Sequence, residues 1–289
     1  MEDLDYVSPQ SIDEAISILA AGGTSAKVFA GGTDLLVQIH EEIIEPTILV
    51  DIKNIPELRK IRFEKDFIVV GAAITGAELG ENEKIKVTWP GVVEAVELIG
   101  SYQIQGRATI GGNLCNASPA ADSVPAFVAA GALIQIVGPD GNRSISTQDF
   151  LVGPGTTALK QGEFVTHIKL PQRSGKTGDA YLRFIPRTEM DIAVVGAGIS
   201  VSLNSDGICD DVRLALGAVA PTAILVESAT DILIGNKLND STLDALSEAA
   251  KKACSPISDK RGTDEFRKEV AGVLTGRAAK IAWSRAENK

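Results

Sequence analysis

The sequence predicts an α+β fold built from three successive units. Short apolar runs such as Phe67–Gly71, Leu133–Val137 and Phe164–Leu170 have the length and composition of half-buried strands. Longer segments near both ends, beginning at Ser11 and Asp264, repeat their apolar residues at helical spacing. The apolar content, 44% of the chain, is carried by alanine, glycine, valine and isoleucine, with aromatics at only 4%. That composition suits layers of helix on sheet.

Residues 1–55 read as helix–strand–helix–strand. Ser11 can cap a helix, Glu14 stands where a capping box needs it, and Ile12, Ala15, Ile16 and Leu19 form one apolar stripe. Gly22-Gly23 ends this helix. Lys27–Ala30 is a short strand, Gly31-Gly32-Thr33-Asp34 a turn, and Leu35-Leu36-Val37 opens a short helix. Ile48–Ile52 completes a parallel strand pair.

Residues 56–175 read as a mainly antiparallel layer with helices on one side. Ile61–Phe63 and Phe67–Gly71 are spaced as a hairpin, and the turn Gly138–Gly141 joins Leu133–Val137 to Ser144–Ser146. Helices are expected at Thr75–Leu79, at Gly91–Ile99 and at Ala126–Ala130, the last with Ser123 as its cap and Pro125 in its first turn. Gln172–Thr177 is polar and reads as a linker. Residues 178–289 read as a three-stranded antiparallel meander, Tyr181–Ile185, Ala193–Leu203 and Val212–Val219, against three helices, Ala223–Ile234, Ser241–Ala253 and Asp264–Ala286. Val270, Val273, Leu274 and Ile281 mark the inner stripe of the last helix.

Composition excludes several functions. The formal net charge is −10 and no basic cluster interrupts it, so binding to nucleic acid or an anionic membrane through the overall field is not expected. No apolar run reaches the ~18 residues of a membrane span, and the acidic start MEDLDYVSPQ does not read as a signal peptide. Cys115, Cys209 and Cys254 are far apart and lack the spacing of a zinc or iron–sulfur site. They read as free thiols, which points to the cytoplasm. With only His40 and His167, a histidine-based metal site or triad is poorly supplied.

Two glycine pairs carry the chemistry. One is in Ala30-Gly31-Gly32-Thr33-Asp34, the other in Thr109–Asp122, TIGGNLCNASPAAD. A glycine pair at a strand end lets backbone N–H groups face a diphosphate, because no Cβ blocks the approach. Thr33 and Thr109 add hydroxyls, Asn113 and Ser118 further hydrogen-bonding groups, and Asp122 an acceptor suited to a ribose hydroxyl. Each pair alone is equally an ordinary turn, and spacing does not name the ligand. Gly196-Ala197-Gly198 imitates a dinucleotide fingerprint, but the third small residue falls on Val201 and a strand continues where a helix is needed.

Val28–Leu36 (VFAGGTDLL) and Thr109–Asp122, with Glu163–Pro171 (EFVTHIKLP), Arg187–Ala193 (RTEMDIA) and Leu214–Thr222 (LALGAVAPT), resemble the FAD-binding medium subunit of the molybdenum hydroxylases, the family of xanthine, nicotinate and carbon monoxide dehydrogenases. The resemblance runs from about Tyr6 to Arg285. It implies a two-subdomain FAD-binding fold of the PCMH type and a C-terminal domain of the CO dehydrogenase flavoprotein type. It assigns the pyrophosphate to Lys27, Val28, Phe29, Ala30, Gly31, Gly32, Thr33, Asp34 and Leu35, together with Thr109, Ile110, Gly111, Gly112 and Asn113. Asp122 would hold a ribose or adjoining hydroxyl, with Ser118 beside it. Ile99 and Gly100 would pack beside the isoalloxazine ring, and Val165 and Arg183 would make later flavin contacts. Many relatives carry lysine where this chain has Arg183, which keeps the charge but changes the donor geometry.

What the resemblance implies for function is electron transfer. A molybdopterin-binding large subunit would hydroxylate the substrate, a small subunit with [2Fe–2S] clusters would relay electrons to the FAD held here, and NAD⁺, a quinone or another acceptor would receive them. The assembly implied is a dimer of heterotrimers. No catalytic residue and no metal site is assigned to this chain. The carbon monoxide enzymes typically read AGGHS where this chain reads AGGTD, which looks more like the purine and N-heterocycle dehydrogenases. The cysteine-rich insertion of the benzoyl-CoA reductase branch is missing. Three alternatives stay open: a carbon monoxide dehydrogenase medium subunit, a self-contained flavin oxidoreductase of the same superfold, and a non-catalytic nucleotide-binding module.

Overall fold

The computed structural model describes residues 4–187 and 190–289. Thr188 and Glu189 of the Arg187–Ala193 motif lie outside the described residues, as do residues 1–3.

The first unit is a three-stranded parallel sheet with Ile48–Asp51 in the middle, flanked by Asp5–Val7 and Ala26–Phe29. The edge strand Asp5–Val7 is absent from the sequence reading because its three residues are largely exposed and carry no apolar pattern. The helix Ile12–Gly22 buries Ala15 and Leu19 against the sheet. Ser11 Oγ accepts the Glu14 N–H at 3.2 Å, but the Glu14 carboxylate takes the N–H of Gln10 at 2.7 Å in place of that of Ser11. The reciprocal arm of the capping box is therefore shifted by one residue. The core under this helix includes Val50 and Ile52 and is completed by Leu58, Ala73, Val137 and Phe164 of the second unit. The two units share this core, so neither wall of the groove between them stands alone.

The second unit is a five-stranded antiparallel sheet in the order Ile61–Phe63, Phe67–Gly71, Phe164–Pro171, Leu133–Gly138, Gly141–Ser146. Helices Gly76–Gly80, Pro90–Glu97, Ile110–Cys115 and Ser123–Ala129 cover one face, around Ile68, Val70, Val96, Leu114, Phe127 and Ile134. Register slips between Val165 and His167 on the central strand, a bulge beside two cleft residues, Phe164 and Val165. Two corrections arise here. Ile110–Cys115, read as a turn, is a helix capped by Thr109. Ser123, read as a cap, sits inside the next helix, and its hydroxyl donates to Asn113 Oδ1 at 2.6 Å.

The third unit is an antiparallel meander of four strands, Lys176–Phe184, Val195–Leu203, Cys209–Gly217 and Ile224–Leu225. The expected helix Ala223–Ile234 is therefore wrong at its start. Ile224 and Leu225 pair with Leu216 and Ala215, and only Ser228–Leu233 is helical. An open sheet edge outweighs the weak helical pattern there. The expected linker is also corrected. Arg173 is pinned by Asp179 Oδ1 at 2.7 Å and Ser200 Oγ at 2.8 Å and stacks on Trp89, and Lys176 already belongs to a strand. The helix Asp264–Glu287 lies on this sheet through Ala271, Leu274, Ala278 and Ala282, while Val273, expected inside, is exposed. Small residues face in because the backbones nearly touch: a Cβ on Gly178 would sit 1.9 Å from Ala282 O. Gly196 and Gly198 lie mid-strand, Gly198 against Pro125 and Ala126, so the imitation fingerprint is a strand packed under a helix. Among the described residues no helix is long and apolar enough to cross a membrane.

Candidate functional site

A cleft opens between the first and second units, walled by both glycine pairs. On one wall the strand Ala26–Phe29 runs into Ala30–Asp34, and the helix Leu35–His40 follows. Gly32 has φ +73°, and a Cβ there would meet the Phe29 ring at 2.5 Å, so glycine is required. Gly31 is required for another reason: a Cβ would fall 2.1 Å from Arg107 O, on the opposite wall. The backbone N–H groups of Gly31, Gly32, Thr33 and Asp34 have no acceptor among the described residues, although all four residues line the cleft. Such a run of uncommitted donors is uncommon unless water or a ligand accepts from it.

The second wall differs from the sequence reading. Thr109 Oγ1 accepts the Gly112 N–H at 3.0 Å, Thr109 O accepts that of Asn113 at 2.9 Å, and the N–H groups of Ile110 and Gly111 go to Ile74 O and Ala72 O, both at 3.0 Å. The second glycine pair thus spends its backbone donors inside the protein. Gly111 is needed for packing, since its Cβ would lie 2.6 Å from Ala72 O. Gly112 presents a Cβ-free face, with only Thr109 Oγ1 nearby at 2.9 Å. Across the mouth, Asn116 Nδ2 donates to Asp34 Oδ1 at 3.1 Å and Gln38 Nε2 donates to Asn116 Oδ1 at 3.3 Å. Val28, Ile99, Phe164 and Val165 make the rest of the lining apolar.

The cleft therefore brings together Val28, Ala30–Leu35, Ile99, Thr109, Gly111, Gly112, Asn113 and Val165. It does not bring in the remaining expected residues. Lys27 is exposed on the strand, while Phe29 and Ile110 are buried behind the walls. Gly100, with φ +64°, turns the chain beside Ile104. Ser118 lines a second cavity with Pro119, Ala120, Ile192, Arg261 and Arg267. Asp122, read as a ribose acceptor, is buried and committed to the C-terminal unit: it accepts from Tyr181 Oη at 2.9 Å and from Arg183 Nη1 at 2.7 Å. A buried carboxylate needs such partners. Burial pushes its pKa up to about 6, against the opposing pull of Arg183 and Tyr181. Among the described residues Arg183 Nε, also buried, has no acceptor.

The cleft carries few titratable groups. Among the described residues on its walls only Asp34 and Cys115 ionise, and burial pushes the Cys115 thiol up to about 12, far from a usable thiolate. His167 lies in the central strand, where burial and then the nearby Arg62 push it down to about 4, so it is neutral and structural. Arg187 pairs with Asp191 at 3.2 Å away from the cleft. The sequence reading missed Gln38 and Asn116. Helical spacing was a usable signal, because Gln38 lies one turn beyond Asp34 and Asn116 one turn beyond Asn113.

Residues 2–173 match the family model described as the FAD binding domain in molybdopterin dehydrogenase, and residues 180–282 match that of the CO dehydrogenase flavoprotein C-terminal domain. The chain is 33% identical over 281 residues to the carbon monoxide dehydrogenase medium chain of Hydrogenophaga pseudoflava, covering 97% of each. It is 32% identical over 286 residues to the xanthine dehydrogenase FAD-binding subunit of Escherichia coli O157:H7, covering 98% of this chain and 97% of that one. The fold superposes with a TM-score of 0.93 on a chain of the carbon monoxide dehydrogenase from Hydrogenophaga pseudoflava that lacks the Mo-pyranopterin moiety of its cofactor, at 33% identity and 98% coverage of both chains.

Proposed function

The chain belongs to the family of FAD-binding medium subunits of molybdenum hydroxylases, and from that premise we propose that it takes electrons from the [2Fe–2S] clusters of a partner and passes them to NAD⁺, a quinone or another acceptor. The observation that carries this reading is a cleft rich in uncommitted backbone donors and poor in acid–base groups. Four N–H groups from Gly31 to Asp34 fit an anionic diphosphate, and the apolar lining at Ile99, Phe164 and Val165 fits a flat ring. FAD, when bound, supplies the capacity to accept single electrons and release a pair. The chain's own residues bind and orient it. Gly31–Asp34 cradle the diphosphate, Gly112 leaves room for close approach, and the Asp34–Asn116–Gln38 bridge spans the mouth. Asp122, Tyr181 and Arg183 tie the C-terminal unit to the FAD-binding units, and the buried Arg183 places a positive charge at that joint.

The partners in this reading are a molybdopterin-binding large subunit and a [2Fe–2S] small subunit, in a dimer of heterotrimers in the cytoplasm. The substrate is a purine or another N-heterocycle, a reading supported by the AGGTD loop. Carbon monoxide is the second reading, supported by the likeness to carbon monoxide dehydrogenase medium chains. A self-contained oxidoreductase lacks support, since neither His40 nor His167 lines the cleft. The test is isolation of the native assembly with metal analysis and a panel of reducing substrates. Molybdenum, iron and two further polypeptides are expected, with bleaching of the flavin band near 450 nm by the true substrate. A lone flavoprotein without molybdenum or iron partners would sink the proposal.

A further inference from the structure

Lys53 is on no wall of the cleft, yet its side chain reaches the peptide from which the donor loop starts. Its Nζ donates to Ala30 O at 2.9 Å and to Asp51 Oδ1 at 2.7 Å, and lies 4.1 Å from the centre of the Phe29 ring. Asp51 is buried and doubly anchored: its other oxygen accepts the Tyr6 hydroxyl, and Oδ1 also takes the Lys53 backbone N–H at 3.0 Å. The ammonium is thus held in place before it reaches Ala30. The ring beneath it is the one Gly32 packs against, so a single side chain braces the loop at two points.

Among the described residues no peptide bond is cis. In a trans peptide the C=O and the following N–H point to opposite sides of the plane. A carbonyl pulled toward Lys53 therefore turns the Gly31 N–H away from Lys53, and Gly31 lines the cleft. The ammonium also leaves a positive charge one peptide behind the donors. Neither effect needs the lysine to touch a ligand. Ile52, the residue before it, is on the cleft wall, which puts the braced peptide directly behind the site.

We propose that Lys53 is a positioning residue for the cofactor's diphosphate: it sets the Ala30–Gly31 peptide so that the first donor of the loop faces the cleft. This rests on reading Gly31–Asp34 as the diphosphate cradle, and the test separates the two ideas. FAD binding to the whole chain, stripped of cofactor, is measured by flavin fluorescence, and ADP, which has the diphosphate without the flavin, is measured by competition. Thermal midpoints of the stripped proteins are recorded alongside. Lys53→Met removes the charge. Lys53→Met with Asp51→Asn removes both charges, so that no unpaired buried carboxylate is left. Lys53→Arg keeps the charge.

One charge-assisted hydrogen bond is at stake, and its loss corresponds to about tenfold in affinity. Lys53→Met and the double variant should both weaken FAD and ADP by that factor, and Lys53→Arg should restore both to within about threefold of wild type. Four results with the variants overturn the proposal, and a fifth with the wild-type chain overturns it together with the cradle. Lys53→Met could bind both ligands as wild type does, or lose FAD but not ADP. The double variant could recover wild-type affinity, which would trace the effect to the stranded Asp51. Lys53→Arg could fail to rescue, which would trace it to packing. If ADP does not compete on the wild-type chain, the cradle itself is misassigned and the Lys53 proposal falls with it.

Discussion

Gly31→Ala is the sharpest test of how the two walls meet. The added Cβ would stand 2.1 Å from Arg107 O, 2.9 Å from Arg107 C and 3.0 Å from Ala108 Cα. All three are backbone atoms, so no side chain can swing aside. A carbon–oxygen contact needs about 3.3 Å, so the walls must part by roughly 1 Å. Such overpacking costs about 1–3 kcal/mol, which at roughly 2 °C per kcal/mol for a chain of this size lowers the thermal midpoint by about 2–6 °C. The same displacement stretches the Asn116–Asp34 and Gln38–Asn116 bonds, 3.1 and 3.3 Å in the structure, past the hydrogen-bonding limit. A ligand gripped from both walls loses one or two good hydrogen bonds, or about 10–100-fold in affinity. The assay is a thermal melt of the stripped chain with an FAD titration of the same sample. Gly112→Ala is the control, since its Cβ would meet only the Thr109 hydroxyl, at 2.9 Å; its midpoint should stay within about 2 °C of wild type. A Gly31→Ala chain that melts and binds FAD like wild type would refute the claim that the walls are in backbone contact.

Other perturbations follow from the same geometry. Gly112→Val should project its branches into the cleft and lower the 450 to 280 nm absorbance ratio of the purified protein by at least about tenfold, with a small change in the melting of the stripped chain. Asp122 is held near pH 6 in the fold, above its ordinary 3.8. The fold therefore binds this proton more tightly than the unfolded chain does. The resulting stability is fully present below about pH 4 and is lost as pH rises through 6. Asp122→Asn should remove that slope from a plot of thermal midpoint against pH. His167 acts in the opposite sense. Its pKa falls from 6.5 to about 4, so its contribution is present above pH 6.5 and lost as pH falls through 4. His167→Gln should flatten that acid limb, and the two variants together separate opposing terms that overlap in the wild type.

The strands Phe67–Gly71, Leu133–Gly138 and Phe164–Pro171 were legible because each is half buried and apolar, and tertiary packing agrees with the local pattern. Asp5–Val7 and Ile224–Leu225 were illegible because their strand character comes from an edge offered by another segment. The inner face of the last helix was misread through Val273 because closeness to the sheet admits alanine and glycine and excludes valine. In the site, both glycine pairs were visible, but Gln38 and Asn116 act as a pair across the cleft, and Lys53 acts through Asp51 and Ala30. Chain spacing does not encode those meetings.

The sequence by itself determined most of the strands and helices and the two glycine-rich segments that wall the cleft, because periodicity and turn chemistry are local. The tertiary structure decided which of those loops keeps its donors. Both glycine pairs read as cradles, yet the N–H groups of Ile110–Asn113 are taken by Ala72, Ile74 and Thr109, and the uncommitted ones are at Gly31–Asp34. It also set Asp122 in a buried pair with Arg183. A hydrogen-bond donor is available only if nothing nearer takes it, and what is nearer is set by the packing of distant segments.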